Sequence, residues 1–101
     1  GADTVLVGWG SAREAMLEAL DLLKQQGVRA GVIHFSELWP LPDYAFPANK
    51  KFWTIESNAT GQLARLLRSE YGVVFEGSIQ RNDGLPLTAN FIRTHFNEKR
   101  K

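Results

Sequence analysis

The residues of this chain that could do chemistry stand in a few short clusters. Gly8-Trp9-Gly10-Ser11 follows an apolar run and precedes an amphipathic one, so it occupies a strand-to-helix turn. There, backbone N–H groups and the helix dipole could hold a phosphate. The dinucleotide fingerprint is incomplete, because its third glycine would stand at position 13, which is Arg13, and the acidic residue after the next strand is only Glu37, beyond Ser36. A tight turn whose glycines permit close backbone approach is the preferred reading. Glu56 ends a later apolar run, with Asn58, Thr60, Gly61 and Gln62 just after it, at the edge of an open sheet where ligands bind. A general acid or base could stand here, but no second carboxylate or histidine is fixed beside it, so a buried carboxylate accepting hydrogen bonds from the following turn is preferred. His34 in an apolar strand and His95 in a terminal helix are far apart and have no cysteine beside them, which fits packing or surface roles better than metal ligation. Ser11 and Ser36 lack the strained G-x-S-x-G elbow of hydrolases.

The large aromatics Trp9, Trp39, Trp53, Phe35, Phe46 and Phe52 lie near strand ends. Most should be core in so small a chain. Trp39, inside Leu38-Trp39-Pro40-Leu41-Pro42, is the one expected to be partly exposed and open to another chain.

The elements that must position these groups are legible from periodicity. Thr4-Val5-Leu6-Val7-Gly8 is a continuous apolar run suited to a central parallel strand. Ser11 and Glu14 have capping-box spacing, and Ala12, Ala15, Met16, Ala19, Leu20 and Leu23 then mark one helix face that Gly27 should end. Ala30 to Phe35 repeats the buried-strand pattern, closing a right-handed βαβ unit. The prolines after Leu38 dictate a rigid loop, with at most about one helical turn between Asp43 and Phe46. Lys51 to Glu56 is a third strand. Leu63, Ala64, Leu66, Leu67 and Tyr71 give the next helix its apolar side, and a fourth strand runs from about Val74 to Ile79. Asn82-Asp83-Gly84 is a turn, and Thr88 should cap a last helix carrying Phe91, Ile92 and Phe96. Strands alternating with helices predict an α/β fold, an open sheet with helices on both faces.

Composition narrows the function classes. A chain of 101 residues, 44% hydrophobic and 23% charged, lies near the globular averages of roughly 45–50% and 25% and fits a single domain. Cysteine is absent, which removes disulfides, thiolate metal sites and thiol nucleophiles. A net charge of +1 is too balanced for a nucleic-acid partner, and no apolar run is long enough to cross a membrane. A cytoplasmic protein is expected. The start at Gly1-Ala2-Asp3, without Met or leader, reads as a piece of a longer polypeptide.

Four segments in order carry a family resemblance: Val7-Gly8-Trp9-Gly10-Ser11, Leu38-Trp39-Pro40-Leu41-Pro42, Glu56-Ser57-Asn58-Ala59-Thr60-Gly61-Gln62-Leu63-Ala64, and Ile79-Gln80-Arg81-Asn82-Asp83-Gly84-Leu85-Pro86-Leu87-Thr88. The W-P-x-P, E-x-N-x-T-G-Q-L and D-G-x-P-x-T elements together resemble the carboxyl-terminal domain II of the alpha subunit of 2-oxoacid:ferredoxin oxidoreductases. The resemblance implies a transketolase C-terminal-like, three-layer α/β/α domain with a mainly parallel sheet in the order 2-1-3-4. It implies an enzyme complex that decarboxylates a 2-oxoacid oxidatively with coenzyme A, using thiamine diphosphate, Mg and an iron–sulfur cluster, and passes electrons to ferredoxin. This domain itself is expected to bind no cofactor and to be inactive alone. It would contact other domains of the alpha subunit, the beta subunit and a symmetry-related copy. The candidate interface or motif residues are Gly8, Trp9, Gly10, Trp39, Pro40, Pro42, Glu56, Asn58, Thr60, Gly61, Gln62, Asp83 and Gly84. The shortened, proline-rich segment after Pro42 departs from the pattern. Two alternatives remain open: the matching domain of another thiamine enzyme such as a 2-oxoacid dehydrogenase, and a free-standing small ligand- or partner-binding α/β module.

Overall fold

Side-chain alternation in the strands creates two apolar faces, and the helices divide between them. In the computed structural model, residues 3–36, 43–57, 62–81 and 83–100 are described. They form β1 (Thr4–Trp9), α1 (Ala12–Gln25), β2 (Ala30–Phe35), β3 (Lys51–Glu56), α2 (Gln62–Tyr71), β4 (Phe75–Gln80) and α3 (Ala89–Lys99). All strands are parallel, in the order β2-β1-β3-β4. Leu6, Trp53, Ile55 and Ile79 project to the side covered by α1 and α3, where they meet Met16, Leu23, Ile92 and Phe96. Val5, Val7, Phe35 and Phe52 project to the other side, where Leu63 and Leu67 of α2 cover them. This is the three-layer arrangement expected from the alternating pattern.

β1 and β3 are the central strands, buried along nearly their whole length. β2 is equally apolar in sequence but lies at an edge, and only Phe35 in it is buried. Composition cannot separate an edge strand from a central one. β4 starts one residue later than expected. Val74 is 79% exposed and stays outside the strand, and the pairing shifts so that Phe52 faces Phe75 while Trp53 faces Gly77, leaving Glu76 as an extra bulged residue.

The face of α1 is the one the periodicity marks: Ala12, Met16, Ala19 and Leu23 are buried, with Ala15 and Leu20 packed at the margin. Its end follows expectation. Gly27 adopts φ +84°, its N–H donates to the Lys24 carbonyl at 3.0 Å, and the Val28 N–H donates to the Leu23 carbonyl at 2.8 Å. Its start does not. Ser11 already has helical angles, φ −74° and ψ −3°, and its side chain makes no cap bond, while Glu14 pairs with Arg13 at 3.0 Å. The hydroxyl of an N-cap reaches the helical N–H groups from an extended backbone, and the turn at Gly10 delivers Ser11 in the helical one instead. Thr88 does cap α3: its backbone is extended and its Oγ1 accepts the Phe91 N–H at 3.1 Å.

The two glycines before α1 have different reasons. A Cβ on Gly8 would stand 2.8 Å from Met16 Cε and 2.9 Å from Sδ, so this glycine lets α1 approach β1 closely. Gly10 has φ +60° and open space around it, so only its backbone demands glycine. Gly10→Ala should therefore lower stability by about 1 kcal/mol, read as a shifted urea midpoint with unchanged slope. An unshifted midpoint would show that the turn relaxes freely.

No helix forms in residues 43–50, which cross the α2 side as an irregular strap ending in a turn at Ala48–Asn49. Phe46 lies 5.2 Å from Phe52 and 5.3 Å from Tyr71, ring centre to ring centre, and Tyr44 meets Phe35 edge-on at 6.2 Å. Aromatic stacking does the covering work that a crossover helix would otherwise do.

Candidate functional site at the carboxyl edge of the sheet

Side chains at alternate positions of β3 and β4 meet under α2. Thr54 and Glu56 on β3 share a face with Ser78 and Gln80 on β4, because Thr54 pairs with Ser78 and Glu56 with Gln80. Glu56 is 2% exposed. Its Oε1 accepts the Leu63 N–H at 2.8 Å, in the first turn of α2, where a negative charge is favoured by the helix dipole. Its Oε2 accepts from the Ser78 hydroxyl at 3.4 Å. Ser78 Oγ in turn accepts from Thr54 Oγ1 at 2.7 Å and from Gln80 Nε2 at 3.2 Å. A hydroxyl has one proton to give and two lone pairs, and all three are used. Among the described residues no buried side-chain polar atom lacks a partner. The preferred reading of Glu56 as a buried, hydrogen-bonded carboxylate thus matches the geometry, and the described backbone donor is Leu63 on the helix.

The glycine turn is fixed from β2. The Gly10 N–H donates to the Phe35 carbonyl at 3.1 Å, and His34 Nε2 lies 2.8 Å from the Gly10 carbonyl. A carbonyl only accepts, so His34 carries its proton on Nε2 here. This bond gives the strand histidine a structural role. Trp9, at the end of β1, is 41% exposed.

The loop after β4 is built around Asp83. The Arg81 N–H donates to the Glu56 carbonyl at 2.9 Å, its Nε donates to Asp83 Oδ1 at 3.0 Å, and its guanidinium lies 4.6 Å from the Phe91 ring centre. Asp83 Oδ1 also accepts the Leu85 N–H at 3.1 Å, and Gly84 adopts φ +82°. These two bonds, that from Arg81 first, hold the Asp83 carboxyl below the usual carboxylate range. Its folded value is depressed, so the contribution of Asp83 is present above the ordinary carboxylate range and fades as pH falls through the lowered value.

A cleft of about 440 Å³ results between the start of α1, the end of β3 and this loop, lined by Ser11, Ala12, Ser57 and the run Gly84-Leu85-Pro86-Leu87. The structure thus brings the glycine-turn and D-G-x-P-x-T segments together at the edge where Glu56 ends its strand. Gln62 is exposed at the first position of α2. Trp39, Pro40, Pro42, Asn58, Thr60 and Gly61 lie outside the described residues. Thr54, Ser78, Gln80 and Arg81 complete the site; none was a candidate by sequence, and Gln80 and Arg81 stood only inside the fourth family segment. The signal for Thr54, Ser78 and Gln80 is the two-residue alternation in T-I-E and S-I-Q, which becomes informative once the pairing of β3 with β4 is known. Among the described residues, no group of three or more His, Cys, Asp or Glu side chains could hold a metal ion. No helix among them is long and apolar enough to cross a membrane.

Comparison with known proteins agrees with the family resemblance. No family model matches the chain. It is 36% identical over 90 residues to the alpha subunit of 2-oxoacid:ferredoxin oxidoreductase 2 from Aeropyrum pernix and 33% identical over 93 residues to that of oxidoreductase 1 from the same organism. Each match covers 85% of this chain but 14% of the relative, so the chain spans a small part of those subunits. Among solved structures, a 2-oxoglutarate:ferredoxin oxidoreductase from Magnetococcus marinus, with 2-oxoglutarate, coenzyme A and succinyl-CoA bound, superposes with TM-score 0.79 at 27% identity, over 99% of this chain and 18% of that one. The alpha chain of a probable 2-oxoacid ferredoxin oxidoreductase from Thermoplasma acidophilum shares the fold with TM-score 0.64 at 22% identity, over 100% of this chain and 91% of that one. A transketolase from Pichia stipitis does so with TM-score 0.62 at 18% identity, over 97% of this chain and 16% of that one. The domain has a transketolase C-terminal-like α/β fold and is similar over most of its length to a segment of 2-oxoacid:ferredoxin oxidoreductase alpha subunits, which are parts of oxidoreductase enzymes.

Proposed function

We propose that this chain is a domain of a 2-oxoacid:ferredoxin oxidoreductase alpha subunit and serves there as a scaffold and interface, contributing no reacting group. The observation that carries this reading is the commitment of Glu56: both its oxygens are engaged inside the fold, one of them on the helix it caps. A general base needs a lone pair within reach of the substrate, and this carboxylate is 2% exposed, with one oxygen held on α2 and the other beside Ser78. The complete enzyme would decarboxylate a 2-oxoacid oxidatively with coenzyme A and thiamine diphosphate and pass electrons to ferredoxin in the cytoplasm. The residues here do not fit its iron–sulfur cluster. An iron–sulfur cluster is held by thiolates, and the sequence has no cysteine. The domain's work would be contact with the other alpha domains and the beta subunit through the carboxyl edge, where Trp9 and Leu85, 41% and 56% exposed, supply apolar anchors.

Trp9→Ala in the full-length subunit, co-expressed with its partner, tests this. Truncating an aromatic anchor costs about 2 kcal/mol or more, roughly a 30-fold weaker association, read by sedimentation, with 2-oxoacid-dependent viologen reduction falling only as far as assembly falls. Trp39→Ala is the companion variant for the proline-rich segment. Normal assembly in both would remove the interface reading.

A further inference from the structure

A cavity of about 300 Å³ opens at the amino-terminal edge of the sheet, at the opposite end of the strands from the glycine turn and Glu56. It lies where β1 and β3 begin, beside the bulge of β4 and the last turn of α3. Its floor is aromatic. Trp53 and Phe96, 6% and 2% exposed, pack on each other there with ring centres 5.1 Å apart. Its charged walls are Lys51 from β3, Lys99 and Arg100 from the end of α3, and Glu76 from β4.

Three cations thus face one carboxylate, a net of two positive charges in a chain whose total is only +1. None of the three pairs with a described carboxylate, since the described ion pairs, Arg13 with Glu14 and Arg81 with Asp83, stand at the other end of the strands. The walls are held in place. The Lys51 N–H donates to the Asp3 carbonyl at 2.7 Å, which fixes the start of β3 beside β1, and the Arg100 guanidinium lies 5.2 Å from the Phe96 ring centre, against the floor. Lys99 and Arg100 also answer the negative pole of α3, but Lys51, on a strand, has no such duty. Other clefts differ: the groove beside α1 sets Lys24 and Arg29 against Asp21, and no charged residue lines the carboxyl-edge cleft. Like charges around one cavity repel, and an anion entering it relieves that repulsion.

We propose that this cavity binds a phosphate group, with Arg100 offering paired N–H donors and Lys51 and Lys99 supplying charge. A phosphate monoester carries about −1.5 to −2 at neutral pH, which matches the net charge of the walls. The cavity has room beyond the phosphate for the carbon of an ester. The site does not depend on which enzyme the chain serves, and it stands away from the carboxyl-edge interface.

Amide NMR titration of the 101-residue chain tests it, with glycerol 3-phosphate and inorganic phosphate as separate probes and chloride holding the ionic strength constant. Saturable shifts are expected at Thr4, Lys51, Glu76, Lys99, Arg100 and the Trp53 indole, with a Kd below about 1 mM. Tighter binding of the ester assigns the extra room to its carbon, and equal binding assigns the site to the phosphate group alone. At ~6 Å in water one pair of unit charges changes an affinity about 3-fold. Lys99→Gln with Arg100→Gln should therefore weaken binding about 10-fold or more, and Glu76→Gln, which removes the opposing charge, should tighten it about 3-fold. If the double variant fails to fold, Lys51→Gln and Glu76→Gln still decide. Chloride alone producing the same shifts, or affinities that ignore all these changes, overturns the proposal. So does an oligoglutamate peptide binding there when neither phosphate does, which would mark an acidic protein partner. The full-length subunit should bind glycerol 3-phosphate as well, read as a raised Tm that Lys51→Gln reduces; no rise at saturating ester would show that neighbouring polypeptide fills the cavity and would overturn the assignment.

Discussion

Gly77→Ala should be among the most damaging single-methyl changes this domain can suffer. A Cβ at position 77 would lie 2.6 Å from Cζ3, 3.0 Å from Cε3 and 3.3 Å from Cη2 of Trp53. The atoms it meets belong to a rigid ring that cannot bend away as a methionine tail can. Trp53 is 6% exposed and is backed by Phe96, whose ring centre is 5.1 Å away at a steep angle. The indole cannot retreat without displacing Phe96 from α3, and β4 cannot retreat without breaking the pairs that hold Ser78 beside Thr54. Overpacking a tight core costs about 1–3 kcal/mol, and the backbone-entropy gain of replacing glycine offsets only about 0.4–1 kcal/mol of it. We expect a net loss of about 2 kcal/mol, a fall in Tm of roughly 10 °C for a chain of this size. Trp53→Phe in the same chain should recover part of the loss, since it vacates the space the methyl needs, giving a coupling above about 0.5 kcal/mol in a double-mutant cycle. Additive effects of the two changes would mean that the clash is relieved elsewhere. The Gly8 case is the contrast: there the methyl meets only the far end of Met16, and a smaller loss is expected.

The physical reasons why sequence reveals some of this architecture and hides the rest differ by element. β3 and the buried face of α1 are legible because each follows one local period over several residues, and nothing in the surrounding fold contradicts it. Gly27 and Thr88 are legible because their roles depend on their own φ/ψ and near neighbours. Ser11 misleads because its spacing to Glu14 is right while its backbone is set by Gly10, one residue earlier. The start of β4 is displaced by a bulge that only pairing with β3 creates. Trp9 stands among the large aromatics of which most are expected in the core, yet the strand reaches the sheet edge there and leaves the indole 41% exposed. The polar set at the carboxyl edge is the least legible feature, because Thr54 and Ser78 are 24 residues apart and meet only through strand register.

That set carries the other large expected effect. Glu56→Ala removes the acceptor for the Leu63 N–H and leaves the Ser78 proton without its carboxylate, both in surroundings with little water. An abandoned buried donor costs about 1–3 kcal/mol, so a loss of about 2–3 kcal/mol is expected for two such groups that share one site. Glu56→Gln is the more informative change. The side-chain oxygen can still accept from Leu63, but an amide nitrogen then faces Ser78 Oγ, which already receives protons from Thr54 and Gln80. A third donor finds no lone pair there, and the serine's own proton loses its acceptor. The nearly isosteric variant should therefore still destabilise by about 1–2 kcal/mol. Ser78→Ala, paired with it in a cycle, should show that the two losses overlap, because either change breaks the same network. The scaffold reading requires that a full-length complex carrying Glu56→Gln, once assembled, keeps its 2-oxoacid-dependent turnover per complex while melting earlier. Turnover abolished in a complex that melts at the normal temperature would be the opposite pattern. It would mean that the carboxylate leaves its helix cap to meet a substrate, and Glu56 would then count among the reacting groups of the enzyme.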